Sequence, residues 1–94
     1  MSLSLPTAEI ERIARFHGAL SVRVFGSRAR GDAGPESDLD LLVHLEPGRS
    51  LLDLIAIKQD LEDMLHCSVD VVTEAGLSPY LRERILAEAR PLGA

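Results

Sequence analysis

The feature that most constrains this chain is the run Asp38-Leu39-Asp40-Leu41-Leu42-Val43-His44-Leu45. On a strand, alternate side chains point to opposite faces, so Asp38 and Asp40 share one face while Leu39, Leu41 and Val43 share the other. The apolar set demands a core on one side. Two ionised carboxylates on the other side repel each other, which favours a cation between them. Oxygen-only ligation with open positions suits Mg²⁺, which keeps waters or substrate phosphates among its ligands.

Upstream, Phe25-Gly26-Ser27-Arg28-Ala29-Arg30-Gly31 supplies a complement. A glycine at a strand end permits close approach of a ligand or another backbone segment. Ser27 is placed to open a helical turn, where N–H groups without helical partners favour an anion. A phosphate site beside a metal site is what phosphoryl or nucleotidyl transfer requires.

The rest of the chain frames these two stretches. Thr7 reads as the N-cap of a first helix, with Ile10, Ile13 and Ala14 at helical spacing and an end near His17-Gly18. Leu20 to Phe25 alternates as a strand. Ala33-Gly34-Pro35-Glu36 reads as a loop, Asp38 to Leu45 as the second strand and Pro47-Gly48 as a turn. Ser50, with Asp53 three residues on, caps a long helix. Its buried stripe is Leu54, Ile57, Leu61, Met64 and Leu65; Lys58, Gln59, Glu62 and Asp63 are expected to face water. Ser68 to Thr73 reads as a third strand in which Asp70 faces away from Val69 and Val71, on the side where it could join the first two acids. On spacing alone, a solvent-facing edge acid is the other reading. Ser78-Pro79 opens a last helix that carries Leu77, Leu81, Ile85 and Ala89 along one face, with Arg90-Pro91 as its stop.

Gly26-Ser27-x-Ala29-Arg30-Gly31 followed by Ser37-Asp38-x-Asp40-Leu41 resembles the signature of the minimal nucleotidyltransferases, small members of the DNA polymerase β-like superfamily. The resemblance extends through Val69-Asp70-Val71-Val72-Thr73 and the last helix, so it covers the chain from about Val22 onward. It implies a nucleotidyltransferase fold and a third carboxylate at Asp70. It also implies Mg²⁺, two ions with nucleotide bound, and a nucleoside triphosphate donor, ATP. Many members are encoded beside a HEPN-domain toxin and act as its antitoxin. The implied acceptor is a tyrosine hydroxyl of that toxin, modified with AMP; no residue here independently specifies adenine, tyrosine or HEPN.

Composition narrows the alternatives. Ninety-four residues make one domain, 1–94, and 46% hydrophobic content permits a true core, an aliphatic one because only Phe16, Phe25 and Tyr80 are aromatic. There is no apolar run of membrane-spanning length and no signal-peptide pattern. Cys67 is the single cysteine, so no internal disulfide forms, and a cytoplasmic location is expected. The net charge of −5 argues against duplex DNA, whose binding depends on neutralising phosphates with a basic stripe.

The expected fold is α/β, or α+β: a small mixed sheet with helices on one face and the acids on the other. The expected metal and catalytic residues are Asp38, Asp40 and Asp70, with Gly26, Ser27, Arg28 and Arg30 on the phosphates. With little chain beyond this core, acceptor recognition falls to a partner or to self-association. The alternative function is a binding module that neutralises its partner by contact without turnover. A structural Ca²⁺ site fits poorly, because Leu41 and Leu42 stand where further oxygen ligands are needed.

Overall fold

A computed structural model describes residues 6–31 and 38–92. The expected loop at Ala33–Glu36 lies outside the described residues. The elements run α1 (Thr7–Phe16), β1 (Ala19–Phe25), α2 (Ser27–Arg30), β2 (Leu39–Leu45), α3 (Leu51–Leu65), β3 (Val69–Val72), a 3₁₀ turn (Glu74–Gly76), α4 (Pro79–Glu88) and β4 (Arg90–Pro91). The strands form one mixed sheet in the order β3-β2-β1-β4, with β2 and β3 parallel and β1 antiparallel to both β2 and β4.

The period-two pattern decides the layers. Leu39, Leu41, Val43, Val22 and Val69 are buried on one face of the sheet. Against them pack Ile10 and Ala14 of α1 and Ile57 and Leu61 of α3, each pair four residues apart and so on one helical stripe. Each large aliphatic side chain removed from water here contributes about 1.5–3 kcal/mol. Asp40 therefore points to the opposite face. Leu42, on that same face, is buried too, so the sheet is covered beyond the acids.

Several local expectations are corrected. Thr7 is not a cap. The cap position is Pro6, whose carbonyl accepts from the Glu9 and Ile10 N–H groups and whose ring presets φ at −74°. Asp38 lies just before β2 rather than opening it. Ser50 does cap α3, with a reciprocal bond from its own N–H to Asp53 at 2.9 Å.

Lys58 and Glu62 are not simply solvated. β3 is an edge strand, and these two side chains, one turn apart, satisfy its backbone: Lys58 Nζ donates to the Val69 carbonyl at 2.6 Å, and the Val69 N–H donates to Glu62 at 3.0 Å. Arg90-Pro91 is more than a stop. It pairs with Arg23 and Val24 of β1 and delivers Leu92 into the core.

The last helix departs furthest from its expected role. Ser78 caps it and Pro79 begins it, as the sequence predicts. Yet no residue of α4 is buried, and Leu81 is 49% exposed. Among the described residues, no helix is long and apolar enough to cross a membrane.

Candidate active site

The register brings the acids together. β2 and β3 run parallel with Asp40 opposite Asp70, so their carboxyls leave the same face of neighbouring strands. Asp38 follows the same period-two logic from the end of β2. It lies exposed beside Asp40, close enough for its charge to act there. Burial raises the Asp40 pKa above the ordinary aspartate range. The Asp70 charge, a hydrogen bond with Asp70 and the Asp38 charge push the same way, while Arg30 opposes them. A carboxylate crowded by two others is favoured by a cation placed beside it.

Gly26 fits this crowding. Phe25 pairs with Asp40 across β1 and β2, and Gly26 follows with φ 76° and ψ −153°, a backbone state reserved almost entirely for glycine. A Cβ at this position would run into the Asp40 carboxylate. The glycine thus serves two needs, the turn into α2 and room for the acid. Ser27 begins α2 directly after it, and Gly31 closes α2 in the left-handed conformation.

Phe25, Gly26, Ser27, Arg30, Asp38 and Asp40 line one open pocket of about 410 Å³. Of the residues singled out from sequence, Arg28 does not line it, and Asp70 flanks it through its contact with Asp40. Arg84, Ile85 and Glu88 of α4 complete the wall. Glu88 accepts from Arg30 at 2.9 Å and from the Gly26 N–H at 3.3 Å, and Arg84 Nε approaches it at 3.7 Å. The hydrogen bond from Arg30 holds the Glu88 pKa below the usual glutamate range, with the Gly26 N–H assisting against the cost of burial.

Sequence reasoning missed these three α4 residues, since nothing local says that the helix crosses the pocket. The one available signal was the spacing of Arg84, Ile85 and Glu88, which sets them on one side of a helix. His17, expected only as a helix-end residue, bonds Asp60 of α3 at 2.8 Å, and Cys67 is a half-buried free thiol.

A model of the nucleotidyltransferase domain matches residues 8–92. The chain belongs to the nucleotidyltransferase domain family. Within it, the chain is 45% identical over 73 residues to a candidate protein adenylyltransferase of Methanocaldococcus jannaschii, covering 78% of each. It is 35% identical over 85 residues to the protein adenylyltransferase MntA of Thermococcus cleftensis, covering 90% of this chain and 86% of that one. A solved structure of a candidate minimal nucleotidyltransferase superposes with a TM-score of 0.80 at 52% identity, covering 92% of this chain and 88% of the other. A Shewanella oneidensis complex of MNT antitoxin with a tri-AMPylated HEPN toxin contains a chain of the same fold, matching at TM-score 0.70 and 19% identity and covering 92% of this chain and 67% of that one. The expected nucleotidyltransferase fold, with its mixed sheet, is the fold observed, and the chain is a nucleotidyltransferase-family enzyme.

The acids of this nucleotidyltransferase suit an oxygen-ligated cation. Among the described residues no three His, Cys, Asp or Glu side chains, Asp38, Asp40 and Asp70 included, gather closely enough to hold a metal ion by themselves. The Asp40–Asp70 pair with Asp38 alongside is instead an open carboxylate edge. That fits a Mg²⁺ ion completing its shell with water and phosphate oxygens, rather than a cation enclosed by protein.

Proposed function

We propose that this chain, acting as one catalytic domain over 1–94, transfers AMP from ATP to a protein hydroxyl, a tyrosine of a HEPN-domain partner, and so serves as that partner's antitoxin. The observation that carries the proposal is that Asp38 and Asp40 meet the Gly26-Ser27 turn and Arg30 at one pocket, with Asp70 beside Asp40 on the neighbouring strand. The donor and acceptor classes come from the relatives. One at 35% identity is named a protein adenylyltransferase, and a structural neighbour is an MNT antitoxin bound to an AMPylated HEPN toxin.

In this reading Asp38, Asp40 and Asp70 would hold the Mg²⁺ ions. Bound there, the ions would offset the charge of the triphosphate and of the departing pyrophosphate. Ser27 and the N–H groups after Gly26 hold the β- and γ-phosphates, and Arg30 balances their charge. With the phosphates fixed, the α-phosphorus stands before the acids. Asp70 orients the acceptor hydroxyl and takes its proton as the tyrosine oxygen bonds to the α-phosphorus. The bond to the bridging oxygen breaks, and pyrophosphate leaves. Positioning and charge stabilisation supply nearly all the catalysis in such chemistry.

The test is incubation of the protein with ATP, Mg²⁺ and the HEPN-domain protein of its own genome, followed by mass spectrometry of the partner. A tyrosine peptide heavier by AMP, with stoichiometric pyrophosphate, is expected. A partner that is neutralised but carries no added mass would replace the enzyme reading with inhibition by contact.

A further inference from the structure

Resting on that reading of the pocket, one residue of α4 stands in the way of the substrate. Glu88 sits among the groups assigned to the phosphates, bonded to the Gly26 N–H and to Arg30, its side chain only 19% exposed. Its carboxylate offers what a phosphate oxygen would offer to the same donors: negative charge and two acceptor atoms. We propose that Glu88 is an internal substitute for a phosphate group, which the triphosphate must displace from Gly26 and Arg30, making Glu88 a determinant of nucleotide affinity.

Three features support a displaceable contact. The Gly26 bond is long at 3.3 Å, and Arg84 approaches Glu88 only at 3.7 Å, so neither is as close as the 2.9 Å bond from Arg30. The helix bearing Glu88 has no fully buried residue, and Ile85 and Leu86 beside it are half-buried, so its last turn can shift without opening the core. Directly beyond, β4 pairs with β1 and Leu92 enters the core, so the helix stays attached when Glu88 lets go. A carboxylate left in place beside three phosphates would repel them, and one that leaves returns the Gly26 N–H and Arg30 to the ligand.

The experiment is calorimetric titration of ATP, and separately of inorganic tripolyphosphate, at fixed Mg²⁺ into the wild type and Glu88→Gln. The amide keeps the size and loses the charge. Removing the competing anion is expected to tighten both ligands roughly tenfold, the scale of one charge-assisted hydrogen bond. Wild type that binds ATP while Glu88→Gln binds equally or more weakly overturns the substitution and makes Glu88 a brace for Arg30; the transferase reading then survives. Failure of wild type and variant alike to bind either ligand overturns both readings. A second measurement needs no variant: hydrogen exchange of the wild-type α4 last turn is expected to quicken when ATP and Mg²⁺ are added. Unchanged or slower exchange there contradicts displacement.

Discussion

Replacing Gly26 by alanine tests how tightly the turn and the acids are built around each other. The residue lies at φ 76° and ψ −153°. Holding a side chain in that region costs about 1–3 kcal/mol. The added methyl must also displace Asp40, whose Cγ is 3.2 Å from the ideal Cβ position and whose Oδ2 is nearer still. Either the carboxylate swings aside or the Phe25–Asp40 pairing opens. Urea unfolding at pH 7 should show the loss. By calorimetry, each kcal/mol lowers Tm by about 4–8 °C in a domain of this size. Displacing a catalytic group by about 1 Å costs on the order of a hundredfold in rate, so pyrophosphate release should fall at least that far. Gly48→Ala is the control. Its φ is +90°, yet among the described residues no heavy atom beyond its own chain neighbours lies within 4 Å of the added Cβ. It should lose roughly 1–2 kcal/mol of stability and keep the wild-type rate. Wild-type stability and rate in Gly26→Ala, or equal loss of activity in both variants, would refute the reasoning.

Ser27→Ala should weaken triphosphate binding by about 1.5–3 kcal/mol, read by calorimetry at fixed Mg²⁺, with the fold intact by circular dichroism. Asp40→Asn should stabilise the metal-free protein at neutral pH. The folded Asp40 pKa is raised above 3.8, so the fold penalises its ionised form. The gain should be full above the folded pKa and vanish as pH falls below 3.8, checked by urea unfolding across that range. Glu62→Ala should lower Tm at neutral pH by leaving the Val69 N–H without its acceptor. The Val69 N–H and Lys58 depress the Glu62 pKa below 4.5, so this stabilisation is present above 4.5 and lost as pH falls through the folded value; wild type and variant should converge in acid.

Where a pattern is local, the sequence carries it. Alternation from Leu39 to Val43 set the faces of β2, the Ser50–Asp53 pair set the start of α3, and Gly26-Ser27 marked the turn into α2. The cross-strand neighbour of Asp40 was not local. Asp70 is an exposed acid on an edge strand, as its spacing alone allowed, and only the parallel register of β3 on β2 also puts it beside Asp40. Glu62 and Lys58 look like any solvated i, i+4 pair until the edge of β3 needs a donor and an acceptor there. Leu77, Leu81, Ile85 and Ala89 read as one apolar face, but α4 lies along the pocket with Leu81 and Tyr80 outward. Helical spacing tells which side chains share a face, not what that face meets.

The most direct test of the account changes charge and keeps shape. Asp38 and Asp40 are both replaced by Asn, and transfer of label from α-³²P-ATP to the HEPN-domain partner is followed with Mg²⁺ present. Wild type should label the partner on tyrosine and neutralise it durably. The folded double mutant should transfer no label and give no lasting neutralisation, since the carboxylates proposed to hold the cations are gone. A double mutant that labels the partner at the wild-type rate, or that labels nothing yet neutralises fully at equal concentration, would contradict catalysis by these carboxylates.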